Sequence, residues 1–84
     1  MPSAVTRYDR GMSTRPEKHS LTLRGHRTSV SLEPEFWQAL REIAAERGMA
    51  VNRLAAEVDA ERGPDTGLAG AIRLHILRHF RNRK

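Results

Sequence analysis

Residues 27–34 read Arg27-Thr28-Ser29-Val30-Ser31-Leu32-Glu33-Pro34, and the alternation within the first six decides the fold. Successive side chains of a strand point to opposite faces, so Thr28, Val30 and Leu32 share one face and Arg27, Ser29 and Ser31 the other. The first set is fit for burial. The second is a row of hydrogen-bonding groups without an acid. A lone strand cannot satisfy its own backbone groups, and no second strand of equal quality follows it. Another copy of the chain is therefore the expected partner.

Upstream, a second alternation runs from His19 to Arg24, with Leu21 and Leu23 opposed to Thr22 and Arg24. Its apolar phase is odd-numbered, whereas that of Thr28, Val30 and Leu32 is even. Gly25 lies between them, so a bulge, bend or tight turn must reset the register there. Two arrangements fit: a short hairpin within the chain, or an arm running into the main strand. Residues 1–18 hold Pro2, Gly11 and Pro16 without periodicity, the composition of a flexible basic tail.

Downstream, Glu33 can cap a helix, Pro34 suits its first position and Glu35 complements its dipole. Phe36, Leu40, Ile43, Ala44 and Arg47 recur with helical spacing until Gly48, giving a helix over about 34–47 with Trp37 beside the stripe. Val51, Leu54, Ala55 and Val58 mark a second helix, about 50–62, stopped by Gly63 and Pro64. Asp65 or Thr66 then caps a third, about 66–81, striped by Leu68, Ile72, Ile76 and Phe80 and widened by Ala69, Leu74 and Leu77. The fold class is mostly α with one short strand at about 26–32, in one domain over 19–82.

The chain has 84 residues, 38% of them hydrophobic and four aromatic, too few for a generous monomeric core. The net charge is +5, with Arg supplying 13 of the 15 bases. Both ends are basic while residues 33–62 are acidic. The arginine fork suits phosphates and guanine edges, so a polyanion is the expected partner, nucleic acid ahead of membrane. Without cysteine, disulfides and thiolate metal sites are excluded. No apolar run approaches a membrane span and no signal-peptide core is present, so a cytoplasmic bacterial protein is expected.

His75 and His79 have the i, i+4 spacing of metal ligands, but Arg73, Arg78 and Arg81 surround them and no third ligand lies nearby. They read as surface or packing histidines; no metal and no cofactor is expected. No nucleophile–base pair or phosphate loop is visible, and Glu42 and Glu46 with Arg41 and Arg47 read as a solvated, ion-paired helix face. An enzyme is not expected.

A basic alternating strand, a Pro-started helix, a turn at Gly48 and a helix opening near Val51-Asn52 resemble the ribbon-helix-helix DNA-binding proteins of the Arc/MetJ superfamily. The likeness is strongest to its short bacterial members, through Gly25–Glu33 leading into Phe36-Trp37 and through Ala71-Ile72-Arg73 in the last helix. It implies a homodimer, possible higher order on DNA, whose strands pair antiparallel into a ribbon lying in the major groove of double-stranded DNA. Bases would be read by Arg27, Ser29 and Ser31. Phosphates would be held by the start of the helix after the Gly turn, at Ala50, Val51 and Asn52 with Arg53, and by Arg24 and His26. The family usually has a serine or threonine where this chain has Ala50, so one side-chain contact is missing.

The same resemblance implies a dimer core of Thr28, Val30, Leu32, Phe36, Leu40, Ile43, Leu54, Val58, Ile72 and Ile76. The helix at 66–81 is either an extra C-terminal element or the family's second helix, with 49–63 inserted. The function implied is a sequence-specific transcriptional regulator, a repressor, acting at the nucleoid. The alternative is an antitoxin or a protein–protein dimerisation module on the same fold, with a partner held by helix 66–81. A weaker third reading lays Ile72–Lys84 on a membrane surface as a basic amphipathic helix.

Overall fold

In the computed structural model, which describes residues 15–83, the chain runs β1 (Glu17–Leu23), β2 (His26–Leu32), α1 (Pro34–Glu46), α2 (Val51–Glu61) and α3 (Leu68–Arg81). The decisive strand finds its partner in its own chain. β1 and β2 pair antiparallel, from Glu17 opposite Leu32 to Leu23 opposite His26. The expectation of one strand completed only by a second copy is corrected accordingly. The physical reason is that closing a two-residue loop costs little entropy, whereas bringing two chains together costs translational and rotational freedom.

Arg24 and Gly25 form that loop with φ of 52° and 86°, the double positive φ of a type I′ turn, whose twist matches the flanking strands. Every facing pair joins an odd-numbered residue to an even-numbered one. The phase change across Gly25 is thus what puts Leu21, Leu23, Val30 and Leu32 on one face, where all four are buried. The register is reset by a tight turn, not a bulge. The strand also claims Glu17 and Lys18, two residues before the expected start at His19. Residues 1–14 of the expected tail lie outside the described residues.

α1 begins as its sequence dictates, with Pro34 in the first turn and the Glu33 carbonyl accepting from the N–H groups of Phe36 (2.8 Å) and Trp37 (3.1 Å). The Glu33 side chain makes no cap bond; it is held elsewhere. The helix ends in a Schellman motif: Met49 N–H donates to the Ala44 carbonyl at 2.9 Å and Gly48 N–H to that of Ala45 at 3.1 Å. Gly48 sits at φ 67°, which an L residue resists. Beyond Pro64 the third helix is capped by Gly67, not by Asp65 or Thr66, and without any side-chain cap bond.

The sheet lies over the helices, α2 packing against β1 and α3 against β2. Leu32, Leu40, Ile43, Leu54 and Ile72 are fully buried at the centre, each worth roughly 1.5–3 kcal/mol of apolar burial. Of the expected dimer-core set, Val30, Leu32, Leu40, Ile43, Leu54, Val58, Ile72 and Ile76 are buried within one chain, while Thr28 and Phe36 are only half-buried. Phe36 and Trp37 exchange their expected roles. Trp37 is the core residue, 3% exposed, with its indole N–H donating to the Glu17 carbonyl at 2.9 Å and the His19 ring meeting it edge-on at 4.6 Å. It therefore fastens the start of β1 to α1. Arg47, expected to end the core stripe, is exposed and pairs with Glu57 of α2 at 3.0 Å.

On α3 the apolar stripe and its widening are buried only in part within the single chain. Leu74, Leu77 and Phe80 are exposed by 43%, 50% and 38%. The helix is tied to the start of α1 by Arg73, whose Nε and an Nη reach one Glu33 oxygen at 3.1 and 2.8 Å while its guanidinium lies 5.6 Å from the Phe36 ring centre. No helix among the described residues is long and apolar enough to cross a membrane.

Candidate nucleic-acid interface

With its apolar face turned inward, the hairpin turns its polar face to solvent. Facing pairs in an antiparallel ribbon share a face, so the outer surface carries Lys18 opposite Ser31, Ser20 opposite Ser29 and Thr22 opposite Arg27. All are exposed except Ser31, which is half-buried. No acid stands among them. The structure thus places Arg27, Ser29 and Ser31 together on one surface, as their alternation requires. It adds Lys18, Ser20 and Thr22, which the sequence reading did not include. The signal was available: once Leu21 and Leu23 point inward, their neighbours must point out.

The two strand edges are not equivalent. The turn makes Leu23 and His26 a hydrogen-bonded pair, and bonded and non-bonded pairs alternate from there. The backbone groups of Thr22, Ser20 and Lys18 therefore point away on the β1 side, and those of Arg27, Ser29 and Ser31 on the β2 side. On β1, Thr22 N–H is met by the Asn52 Oδ1 at 3.4 Å. On β2, among the described residues, no group of the chain bonds the outward backbone of Arg27, Ser29 or Ser31. One edge is partly capped and the other is open.

Below the hairpin lies the start of α2. Its N-cap, Ala50, offers no side-chain oxygen, and its carbonyl accepts from Arg53 and Leu54. The N–H groups of Val51 and Asn52 stay without backbone acceptors, as at any helix start. Thr22, Arg24, Asn52 and Arg53 line a shallow depression there together with Ala56 and Glu57. Of the six expected phosphate ligands, Arg24, Asn52 and Arg53 converge, next to the helix start at Ala50 and Val51. His26 does not join them; it lines the neighbouring hollow with Leu23, Arg24, Thr28, Asp59, Arg62 and Leu68.

Among the described residues, two groups have shifted proton affinities. The Arg73 guanidinium hydrogen-bonded to Glu33 holds that carboxyl below the usual range. His75, partly buried beneath α2, is pushed down by desolvation first and by the charge of Arg47 second. His79 Nε2 lies 3.1 Å from Glu46, which also meets Arg83 at 3.4 Å. The four-residue histidine spacing is thus taken up by an inter-helix contact on one side and burial on the other. Among the described residues no group of three His, Cys, Asp or Glu is placed to hold a metal ion.

A two-stranded ribbon with a basic, acid-free outer face, mounted on a three-helix base, defines a small ribbon-and-helix binding domain. The chain belongs to the ribbon-helix-helix domain family, whose profile matches residues 16–80. β1 and all but the last residue of α3 fall inside that span. No match was found among curated proteins. Among solved structures, the chain is similar to an uncharacterized protein from Bordetella pertussis Tohama I, with 33% identity and a TM-score of 0.73, over 93% of this chain and 67% of that one.

Proposed function

We propose that the protein is a homodimeric, sequence-specific DNA-binding regulator, a transcriptional repressor of the bacterial nucleoid, and a binding protein rather than an enzyme. The observation that carries this reading is the acid-free face of Arg27, Ser29 and Ser31 beside the open β2 edge. Two copies related by a two-fold axis through Ser29 would pair Arg27 of one with Ser31 of the other and satisfy all three outward backbone positions. The resulting central ribbon carries two copies of the reading face. It fits a major groove roughly 12 Å wide. Arg27 would take guanine O6 and N7 with its fork, and the serine hydroxyls would donate or accept at neighbouring edges. The free N–H groups of Val51 and Asn52, with Arg24 and Arg53, would hold phosphate through the helix dipole and charge.

Selection of bound duplexes from a random DNA pool tests this. An inverted repeat among the winners, bound by two chains, is the expected result. Winners without symmetry, or no enrichment, would reject it.

A second reading, an antitoxin or adaptor, is favoured by the exposed Leu74, Leu77 and Phe80 on α3. It calls for weak DNA binding by the isolated protein that tightens when a protein partner is added.

A further inference from the structure

We propose that β1 is a phosphate clamp: Lys18, Ser20 and Thr22 grip the backbone at the walls of the major groove while β2 alone reads bases. The inference rests on the dimer reading above and follows from the width of the sheet that reading builds. Neighbouring strands lie about 4.8 Å apart. With the two-fold axis between the two β2 strands, each β2 is about 2.4 Å from it and each β1 about 7 Å, one and a half spacings away. A major groove roughly 12 Å wide reaches only about 6 Å to either side of its midline. The β2 strands therefore enter the groove and the β1 strands meet its rims, where phosphates stand.

The residues on β1 suit that position. Lys18, Ser20 and Thr22 are exposed, point to the same side as Arg27, Ser29 and Ser31, and have no acid among them. An ammonium and two hydroxyls are sequence-indifferent phosphate ligands. The planar fork suited to a guanine edge sits on β2, at Arg27. The order of strands thus puts the arginine fork near the axis and the ammonium away from it, while the hydroxyls of both strands meet whatever lies at their distance. Asn52 also holds the outer edge of β1 at Thr22, which leaves the β2 edge for the second copy and keeps β1 on the outside.

The test uses the full chain, a duplex selected from a random pool, and a scrambled duplex of the same length. Lys18→Gln is expected to weaken binding to both duplexes by the same factor. It should also make the dependence of log affinity on log salt shallower by about 2, roughly 0.9 for each of two phosphates released per dimer. Thr22→Val, which keeps the strand-forming shape, should likewise lower affinity on both. Arg27→Ala should lose affinity on the selected duplex alone. A loss by Lys18→Gln and Thr22→Val confined to the selected duplex would overturn the clamp and put β1 inside the groove. An unchanged salt slope would overturn it too. A wild-type chain that binds neither duplex, or binds as one copy, overturns the dimer reading itself, an outcome visible before any variant is made.

Discussion

Arg24 occupies a position whose backbone favours other residues, and replacing it should separate stability from binding. At φ 52° it is the first central residue of the type I′ turn, where asparagine followed by glycine is the preferred pair. A left-handed conformation costs an ordinary L residue roughly 1–2 kcal/mol. The several-fold enrichment of asparagine there recovers about 0.6–1 kcal/mol of that cost. Arg24→Asn should therefore stabilise the domain by about that amount, raising Tm by roughly 2–8 °C for a domain of this size. The side chain is exposed and makes no hydrogen bond or ion pair within the described residues, so little is lost in exchange. The same change removes a cation beside Asn52 and Arg53, so DNA affinity should fall while base preference stays. Thermal melts by circular dichroism and a mobility shift read the two effects. A variant that melts at or below the wild-type temperature would refute the strain argument. One that binds DNA as tightly as wild type would refute the role of Arg24.

Trp37→Phe keeps most of the buried ring but drops the bond to the Glu17 carbonyl; about 1 kcal/mol should be lost in denaturant titrations, and Trp37→Ala should cost about 3–5 kcal/mol. Gly48→Ala meets open space around its Cβ but a φ of 67°, so its loss, about 1 kcal/mol, is one of backbone conformation. Stability should fall on acidification in two steps. His75 binds its proton less readily folded than unfolded, so stability starts to fall as pH drops below its ordinary 6.5. Glu33, held below its ordinary 4.5, adds a second fall at lower pH, because the unfolded chain takes up that proton first. His75→Gln should abolish the first step and Arg73→Met diminish the second, both seen in melts across pH.

Much of the fold was legible because its signals are local. Period-two alternation marked β2, Pro34 and Gly48 bracketed α1, and the apolar spacing of α2 and α3 gave their lengths within a few residues. What was not legible depended on choices between distant partners. Whether β2 pairs with its own chain turned on Arg24 tolerating positive φ, a position where arginine carries no such signal. Phe36 and Trp37 are adjacent and both apolar. Only the carbonyl of Glu17, twenty residues away, decides which one turns inward. The reading face was half visible: the serines and Arg27 followed from alternation, while Lys18, Ser20 and Thr22 needed the hairpin register.

The chain contains no cysteine, so a single introduced thiol reports directly on which edge meets the second copy. Ser29 of one β2 should face Ser29 of the other at about 5.5 Å between Cα atoms, inside the reach of a disulfide. The two Ser20 positions should stand about 14 Å apart, three strand spacings. Under mild oxidation, Ser29→Cys should give a covalent dimer on a denaturing gel, and Ser20→Cys should stay monomeric on the same gel. Cross-linking through position 20 but not 29, or through neither, would contradict the paired β2 ribbon.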